Sequence, residues 1–472
     1  MSYLKRIRPY LWFFFWAKNW VLEQRARRGR AFYLRYIGPF LILWLLSLYH
    51  YSASNPSSAK SITANYIVIR KPLTNELSSV EATAQVDRDI ERFLKRWNIP
   101  AASVAIVRDE RLVYAKGFGY TDETQQQLTD PNHLFRIASA SKLVTAAAVM
   151  RLADEGKLNL DHKVFGNTGY LQPNEYGEAW QQRVYDITVR HLLEHTSGFS
   201  WRTLGDPAFN VKKVASALEV PLPISRKQLI RWQIRQHLPY RPGTRYNYSN
   251  VGYMMLHEVV AEVSGMTYEE YVQRHVLKPA GIRGMRLGKN LVEDRHDDEV
   301  TYLDHEGAPW RQSVTGADTL MPRQYGGTDI ELLGGAGGWI ASAEDLARLV
   351  VAIDGMPGMP DILSLEGIQE MTRKGQSRYA LGWKGARGNR WWRTGSLSGT
   401  NALIYRLDER TTYVCIINRS HWNGYRFNRT LQGQMLKSVN TISEWPTHDL
   451  FRLEKLVAIE PYATPSTKGF LR

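Results

Sequence analysis

The sequence predicts an α+β fold, an antiparallel sheet built from N- and C-terminal strands of the globular region, flanked by helices, with a largely helical subdomain inserted between them. Three observations predict it. Apolar, β-branched runs broken by polar turns open the region at 101–120 and return at 378–420. Between them, from about 160 to 370, helical spacing and irregular stretches replace the two-residue alternation. Strands at both ends with helices between fit one sheet covered by packed helices.

The first element is "VDRDIERFLKRW", where Val86, Ile90, Phe93, Leu94 and Trp97 share one helical face. "AASVAIV" and "RLVYAKGFGY" flank the polar turn Arg108, Asp109 and Glu110 and read as a β-hairpin. A helix then starts around Ser139. "NVGYMMLHEVVAEVSG" is the clearest amphipathic helix of the middle region. "GGWIASAEDLARLVVAI" is a second, with Ser342 and Asp345 spaced as a capping pair. Strands return in "RYALGWKG", "NRWWRTG", "TNALIYRL" and "TTYVCIINRS", and "RFNRTLQGQMLKSV" closes the region as a helix. No internal repeat is visible. The organisation expected is a basic segment at 1–35, an anchor at 36–51, a linker at 52–84, the globular domain at 85–440 and a tail at 441–472.

At 472 residues, with 43% apolar content, 15 Trp and 25 Tyr, the chain is globular and not disordered. Cys415 is its single cysteine, which excludes an internal disulfide, a cysteine-based zinc cluster and a redox pair; within a β-like run it reads as core. The net charge of +15 is concentrated: residues 1–35 hold nine Lys or Arg against Glu23 alone, which accounts for +8 and leaves +7 for the other 437 residues. An uncharged apolar run of 16 residues follows at 36–51, "YIGPFLILWLLSLYHY", with aromatic residues at both ends. It reaches the roughly 20 residues of a membrane span if flanking residues such as Arg35 snorkel. The reading is an uncleaved single-pass anchor in the inner membrane, its basic flank cytoplasmic and the body periplasmic or extracellular. A cleavable signal peptide competes, against which stands a leader of some 35 residues ahead of the apolar core. The charge is thus a topology signal, and no nucleic-acid partner is expected.

"LFRIASASKLV" sets two serines just ahead of a lysine. On a helix, residues three apart share a face and adjacent ones point about 100° apart. Ser139 can therefore meet Lys142 while Ser141 points elsewhere, and an amine beside a hydroxyl makes Ser139 a candidate nucleophile. Ser57 and Lys60 repeat the spacing, but inside a Ser-rich linker. "PGTRYNYSNVGY" adds Tyr248, Ser249 and Asn250, where a phenol and an amide can face one site; in isolation Tyr248 reads rather as a packed aromatic and Asn250 as a turn former. "WWRTGSLSGTNAL" puts Arg393, Thr394 and Gly395 on a strand, where a cation and a hydroxyl could hold a substrate carboxylate and glycine would let a substrate backbone approach.

S-x-x-K, then Y-S-N about 110 residues later, then a basic-T-G strand resembles the serine hydrolases related to class C β-lactamases and D-alanyl-D-alanine carboxypeptidases. "FRIASASK", "ITVRHLLEHTSG", "YRPGTRYNYSNVGY" and "GAGGWIASAEDLARL" look like that family over about residues 85–440. The resemblance implies a β-lactamase/transpeptidase-like fold and no cofactor. It makes Ser139 the acylated nucleophile, with Lys142 and Tyr248 sharing proton transfer and Tyr248 the favoured general base. Asn250 would orient Lys142 and the substrate amide, and the backbone N–H groups of Ser139 and Ser396 would form the oxyanion hole. The family usually carries His or Lys where this chain has Arg393, which keeps the charge but cannot shuttle a proton.

Rival motifs point elsewhere. "HLLEH", His191 to His195, matches the H-x-x-E-H of an inverted zinc protease, yet Thr196, Ser197 and Gly198 stop the helix at once, and His195 fits better as a hydrogen-bonded support beneath the site. "TGSLSG" has Leu397 where a nucleophile elbow needs serine, and "GGAGG" at 334–338 lacks the Lys-Ser/Thr ending of a phosphate loop. The function expected is a membrane-anchored serine hydrolase cleaving an amide, peptide or ester. Its partner would be a small molecule or peptide, cell-wall-derived ones among the candidates. The alternatives are a penicillin-binding-like sensor without turnover and, behind it, the zinc protease.

Overall fold

The computed structural model describes residues 66–70, 72–201, 205–373 and 380–458. The chain divides into two compact units, 1–67 with 456–472, and 68–455; all that follows concerns the second. In chain order its main elements are α1 (Ala84–Arg96), β1 (Ala101–Arg108), β2 (Arg111–Gly119), β3 (Phe135–Arg136), α2 (Ser141–Asp154), α3 (Val189–Leu193) and α4 (Asn250–Ser264). They continue with β4 (Arg286–Leu287), β5 (Trp339–Ala341), α5 (Ala343–Val351), β6 (Gly385–Arg387), β7 (Arg390–Leu397), β8 (Thr400–Arg406), β9 (Thr411–Ile417) and α6 (Phe427–Val439).

The six-stranded sheet runs β2-β1-β9-β8-β7-β6, antiparallel throughout, so the two ends of the region meet where β1 pairs with β9. Both faces of the sheet are apolar because both are covered. Ala102, Val104 and Ile106 of β1 and Tyr413, Cys415 and Ile417 of β9 pack with Val86, Ile90 and Phe93 of α1 and Leu431 and Met435 of α6. The alternate residues Ala105, Val107, Val414 and Ile416 join the larger core containing Leu143 of α2 and Leu346 of α5. The period-two pattern sorts the strands between these two cores. The β1–β2 hairpin turns through Asp109 and Glu110, with φ of 50° and 62°, the positive pair that a tight hairpin needs to match strand twist.

The helix around Val86, the hairpin, the strands β7 to β9, α4 and the closing helix lie where the spacing puts them. The α5 cap is the expected one: Ser342 Oγ accepts from the Asp345 N–H at 3.1 Å, and Asp345 Oδ2 accepts from the Ser342 N–H at 3.1 Å. Cys415 is buried in β9, and burial pushes its thiol up to about 12.

Two expectations change. "RYALGWKG" is not a strand over its described part: 380–384 form a loop, and only Gly385–Arg387 pairs, at the sheet edge. Gly382 has φ 80°, and a Cβ there would meet Ala146 of α2 at 2.5 Å, so the segment folds down onto that helix. Nor is Ser139 in the α-helix; Ala138–Ala140 is a 3-10 turn and α2 starts at Ser141. The expected basic segment, anchor and linker up to residue 65 lie outside the described residues, and among those described no helix is long and apolar enough to cross a membrane. Leu73 at one end and Leu450 and Phe451 at the other are buried in the larger core, so the packed region begins within the expected linker and continues past 440.

Candidate active site

The turn carrying Ser139 is held from several sides. β3 pairs with β5, and the Thr400 hydroxyl donates to the Arg136 carbonyl at 2.6 Å. Ala138 takes φ 49°, which a residue with a Cβ adopts at a cost of about 1–2 kcal/mol. A 3-10 turn brings residues three apart into line. Lys142 Nζ thus stands 3.4 Å from Ser139 Oγ. Ser141 is fully buried, its Oγ accepting from the Trp339 N–H at 3.2 Å.

The second segment is built on "HLLEHTSG". The carbonyls of Thr196 and His195 accept from the N–H groups of Gly243 and Asn247, both at 2.8 Å, and His195 Nδ1 accepts from the Ser249 N–H at 3.2 Å. This pins the loop that leads into α4. Ser249 is extended and caps α4, accepting from the Gly252 N–H at 3.0 Å. Side chains alternate along an extended segment, so Tyr248 and Asn250 project together. The Tyr248 hydroxyl lies 2.7 Å from Ser139 Oγ, and Asn250 Oδ1 accepts from Lys142 Nζ at 2.7 Å. At its other end the Asn250 amide donates to Asp206 Oδ2 at 2.7 Å.

The third segment is β7. Trp391, Arg393 and Gly395 face inward, whereas Thr394 and Ser396 are partly exposed. Arg393 Nε donates to the Ser139 carbonyl at 2.8 Å, and Arg393 is 2% exposed. A Cβ on Gly395 would lie 2.0 Å from the Ile137 carbonyl oxygen. The glycine therefore admits the backbone of the Ser139 turn and not, as expected, that of a substrate. Beside β7, Lys384 Nζ donates to Thr394 Oγ1 at 3.0 Å, and its backbone N–H bonds the Trp392 carbonyl at 2.9 Å.

These groups line one cavity of about 550 Å³, with Ser139, Asp206, Tyr248, Lys384, Arg393 and Ser396 on its walls. Trp201, Phe209, Leu333, Leu397 and Tyr425 also line it and make much of its surface apolar and aromatic. Burial, reinforced by Arg393, holds Lys142 well below the usual lysine range, with Asp206 opposing. Burial raises Tyr248, which Arg393, the Ser139 hydrogen bond and Lys384 only partly offset. Burial and then Arg393 lower Lys384. His195 falls well below its usual value through burial, then Lys142 and Arg393, and its ring lies tilted beside Tyr248 at 4.5 Å between centroids. Lys142 also donates to the Ala336 carbonyl at 2.5 Å. Two carbonyl acceptors take two of its N–H groups, so in the neutral amine the lone pair is left for Ser139. A hydroxyl beside a neutral amine and a phenol can be deprotonated and attack a carbonyl carbon.

All eight sequence candidates, Ser139, Lys142, Tyr248, Asn250, Arg393, Thr394, Gly395 and Ser396, are brought to this place. The reading missed Asp206, which precedes a proline and reads only as a turn and cap, and Lys384, hidden in a run read as a strand. His191 and His195 do not converge on a shared ligand: His191 Nδ1 accepts from the Thr188 N–H at 3.2 Å, and among the described residues no group of three His, Cys, Asp or Glu is placed to hold a metal ion.

A family model described as Beta-lactamase matches residues 86–434. The protein flp of Staphylococcus aureus (strain MW2) is 28% identical over 217 residues, covering 46% of this chain and 41% of that protein, so the chain spans about two fifths of that relative's length. PbpX of Bacillus subtilis (strain 168), named as a candidate penicillin-binding protein, is 27% identical over 338 residues, 71% of this chain and 75% of PbpX. Among solved structures, the D-amino acid amidase of Ochrobactrum anthropi SV3, complexed with D-phenylalanine, aligns with a TM-score of 0.58 at 18% identity, covering 76% of this chain and 99% of that one, a likeness of fold.

Proposed function

This chain belongs to the beta-lactamase family, and from that premise we propose that it is a serine hydrolase acylated on Ser139 by amides, peptides or esters. The observation that carries the reading is Ser139 Oγ at 2.7 Å from the Tyr248 hydroxyl and 3.4 Å from Lys142 Nζ on the wall of an accessible cavity. The Ser139 proton passes to neutral Lys142 as Oγ bonds the carbonyl carbon, and the oxyanion meets the N–H groups of Ser139 and Ser396. Tyr248, kept protonated by burial, takes the acid role in place of the general-base role that the resemblance implies, and hands its proton to the leaving nitrogen or oxygen as that bond breaks. Lys142 returns its proton to the phenolate, so the net transfer is from Ser139 to the leaving group. Water then reverses the steps and releases the acid.

The apolar wall suits an acyl part with an aromatic or alkyl side chain, in keeping with the D-phenylalanine named in the amidase complex. Lys384 and Arg393 bring positive charge to the cavity, and the partly exposed Lys384 is placed to meet a carboxylate, a contact that a charged partner strengthens. The run at 36–51 supports anchoring to the inner membrane, with the hydrolase outside the cytoplasm.

Incubation with a fluorophosphonate and a fluorescent penicillin tests the reading. Ser139→Ala is expected to abolish covalent label, and Ser141→Ala, if folded, to retain it. Lys142→Ala and Tyr248→Phe should each slow acylation by on the order of 10² or more. Undiminished labelling of Ser139→Ala would sink the assignment.

A further inference from the structure

Asp206 is the one carboxylate among the described residues lining the cavity, which also holds Lys384 and Arg393; Lys142 is fully buried and bonded to Asn250 of its wall. Three donors converge on it: Asn250 Nδ2 at 2.7 Å, the Ala208 N–H at 3.1 Å and the backbone N–H of Asn250. We propose that Asp206 is a positioning residue of the site, its carboxylate gripping one end of the Asn250 amide so that the other end faces Lys142, and its charge balancing the neighbouring cations.

The orientation follows from the donor inventory. Asn250 presents an acceptor at one end and donors at the other. With its NH₂ toward Asp206, its oxygen meets an N–H of Lys142, whose lone pair in the neutral amine is turned to Ser139. Reversed, the amide would set donors against a donor and oxygen against a carboxylate. Asp206 and Lys142 therefore fix the amide jointly, and a line of hydrogen bonds runs from Asp206 through Asn250 and Lys142 to Ser139.

The charge acts along the same line. The charged and titratable groups facing Lys142 are Arg393, His195, the rings of Tyr248 and Tyr253 at 4.9 and 5.5 Å, and Asp206. Lys384 stands beyond Tyr248. Burial and Arg393 favour the neutral amine; Asp206 favours the ammonium. Asp206 thus limits how far the amine's proton affinity falls, so that it can still take the Ser139 proton. A lysine stripped of this counter-charge would be neutral but a weaker base.

The kinetic part of this inference rests on the serine hydrolase reading; the titration of Lys142 does not. ¹³C-lysine NMR on the full chain follows that titration directly, the resonance being assigned by its absence in Lys142→Ala. Asp206→Asn keeps an acceptor for Asn250 and removes the charge. It is expected to lower the Lys142 midpoint by about one pH unit or more and to move the acidic limb of the acylation profile the same way. Asp206→Ser, which keeps a capping oxygen for the Ala208 N–H, carries the same expectation if Asp206→Asn does not fold. Asp206→Ala, which also frees the amide, should in addition slow fluorophosphonate acylation tenfold or more at every pH. A Lys142 midpoint in Asp206→Asn or Asp206→Ser that rises, or stays within about 0.3 pH unit of wild type, overturns the proposal. Wild-type protein that titrates as described but never acylates overturns the hydrolase reading alone.

Discussion

Arg393 and Lys384 are two cations on the wall of the same cavity with different partners. Arg393 spends its Nε on the Ser139 carbonyl and is almost wholly enclosed, so its first effect is on the shape of the turn that presents the nucleophile. Lys384 is tied to Thr394 and partly exposed to the cavity. Lys384→Ala should therefore reduce kcat/KM for carboxylate-bearing amides by about thirtyfold, ~2 kcal/mol, and leave neutral esters of the same acyl group nearly unchanged. Arg393→Ala should slow both classes. Substrate panels on the two variants check this, and a charge-selective loss confined to Arg393→Ala would reverse the assignment. Sequence spacing could find Ser139 with Lys142, because a turn of three residues per cycle preserves the i to i+3 relation even where the α-helix has not begun. It could not find Asp206 or Lys384. Their partners lie 44 and 10 residues away, and nothing local distinguishes a capping aspartate or a strand-edge lysine from one that serves a cavity.

The β1–β2 hairpin and α5 were legible because local chemistry specified each, one by its polar turn and the other by its capping pair. The "RYALGWKG" run was not, since the packing of Gly382 against α2 overrode an alternating pattern. The hairpin turn also carries a charge cluster that no local pattern announces. Glu110 is pushed up to about 8, first by burial and then by the charge of Asp354, itself raised to about 6 by burial against the opposing charge of Arg406. Arg406 Nε lies 3.5 Å from Asp354 Oδ2. A carboxylate raised on folding keeps its proton in the native state after the unfolded chain has lost it, so stability falls as pH rises from about 4.5, its ordinary value, to about 8. Glu110→Gln removes that loss. Urea unfolding at pH 5 and pH 8 should show a smaller drop for the variant than for wild type; equal drops would place the pH dependence elsewhere.

At the scale of the molecule, the α+β architecture was legible because the two strand-rich regions can complete a sheet only by pairing with each other. The extent of the domain was less so, since burial of Leu450 and Phe451 depends on the assembled core. If residues 36–51 anchor the protein, removing 1–60 should give a soluble protein that still labels on Ser139, because the cut falls ahead of α1. Sedimentation of the full chain and the truncated form in membrane fractions checks it; a full chain found free of membrane would remove the anchor. The pairing of β1 with β9 joins residues about 300 apart, as in Arg108 with Thr411. A ribosome adding roughly 5–20 residues per second needs about 15–60 s to cover that distance. For that time the inner edge of the nascent hairpin has no partner strand, the condition in which an open β-edge recruits other chains, so the timing of protein synthesis sets how long the sheet is exposed to misassembly.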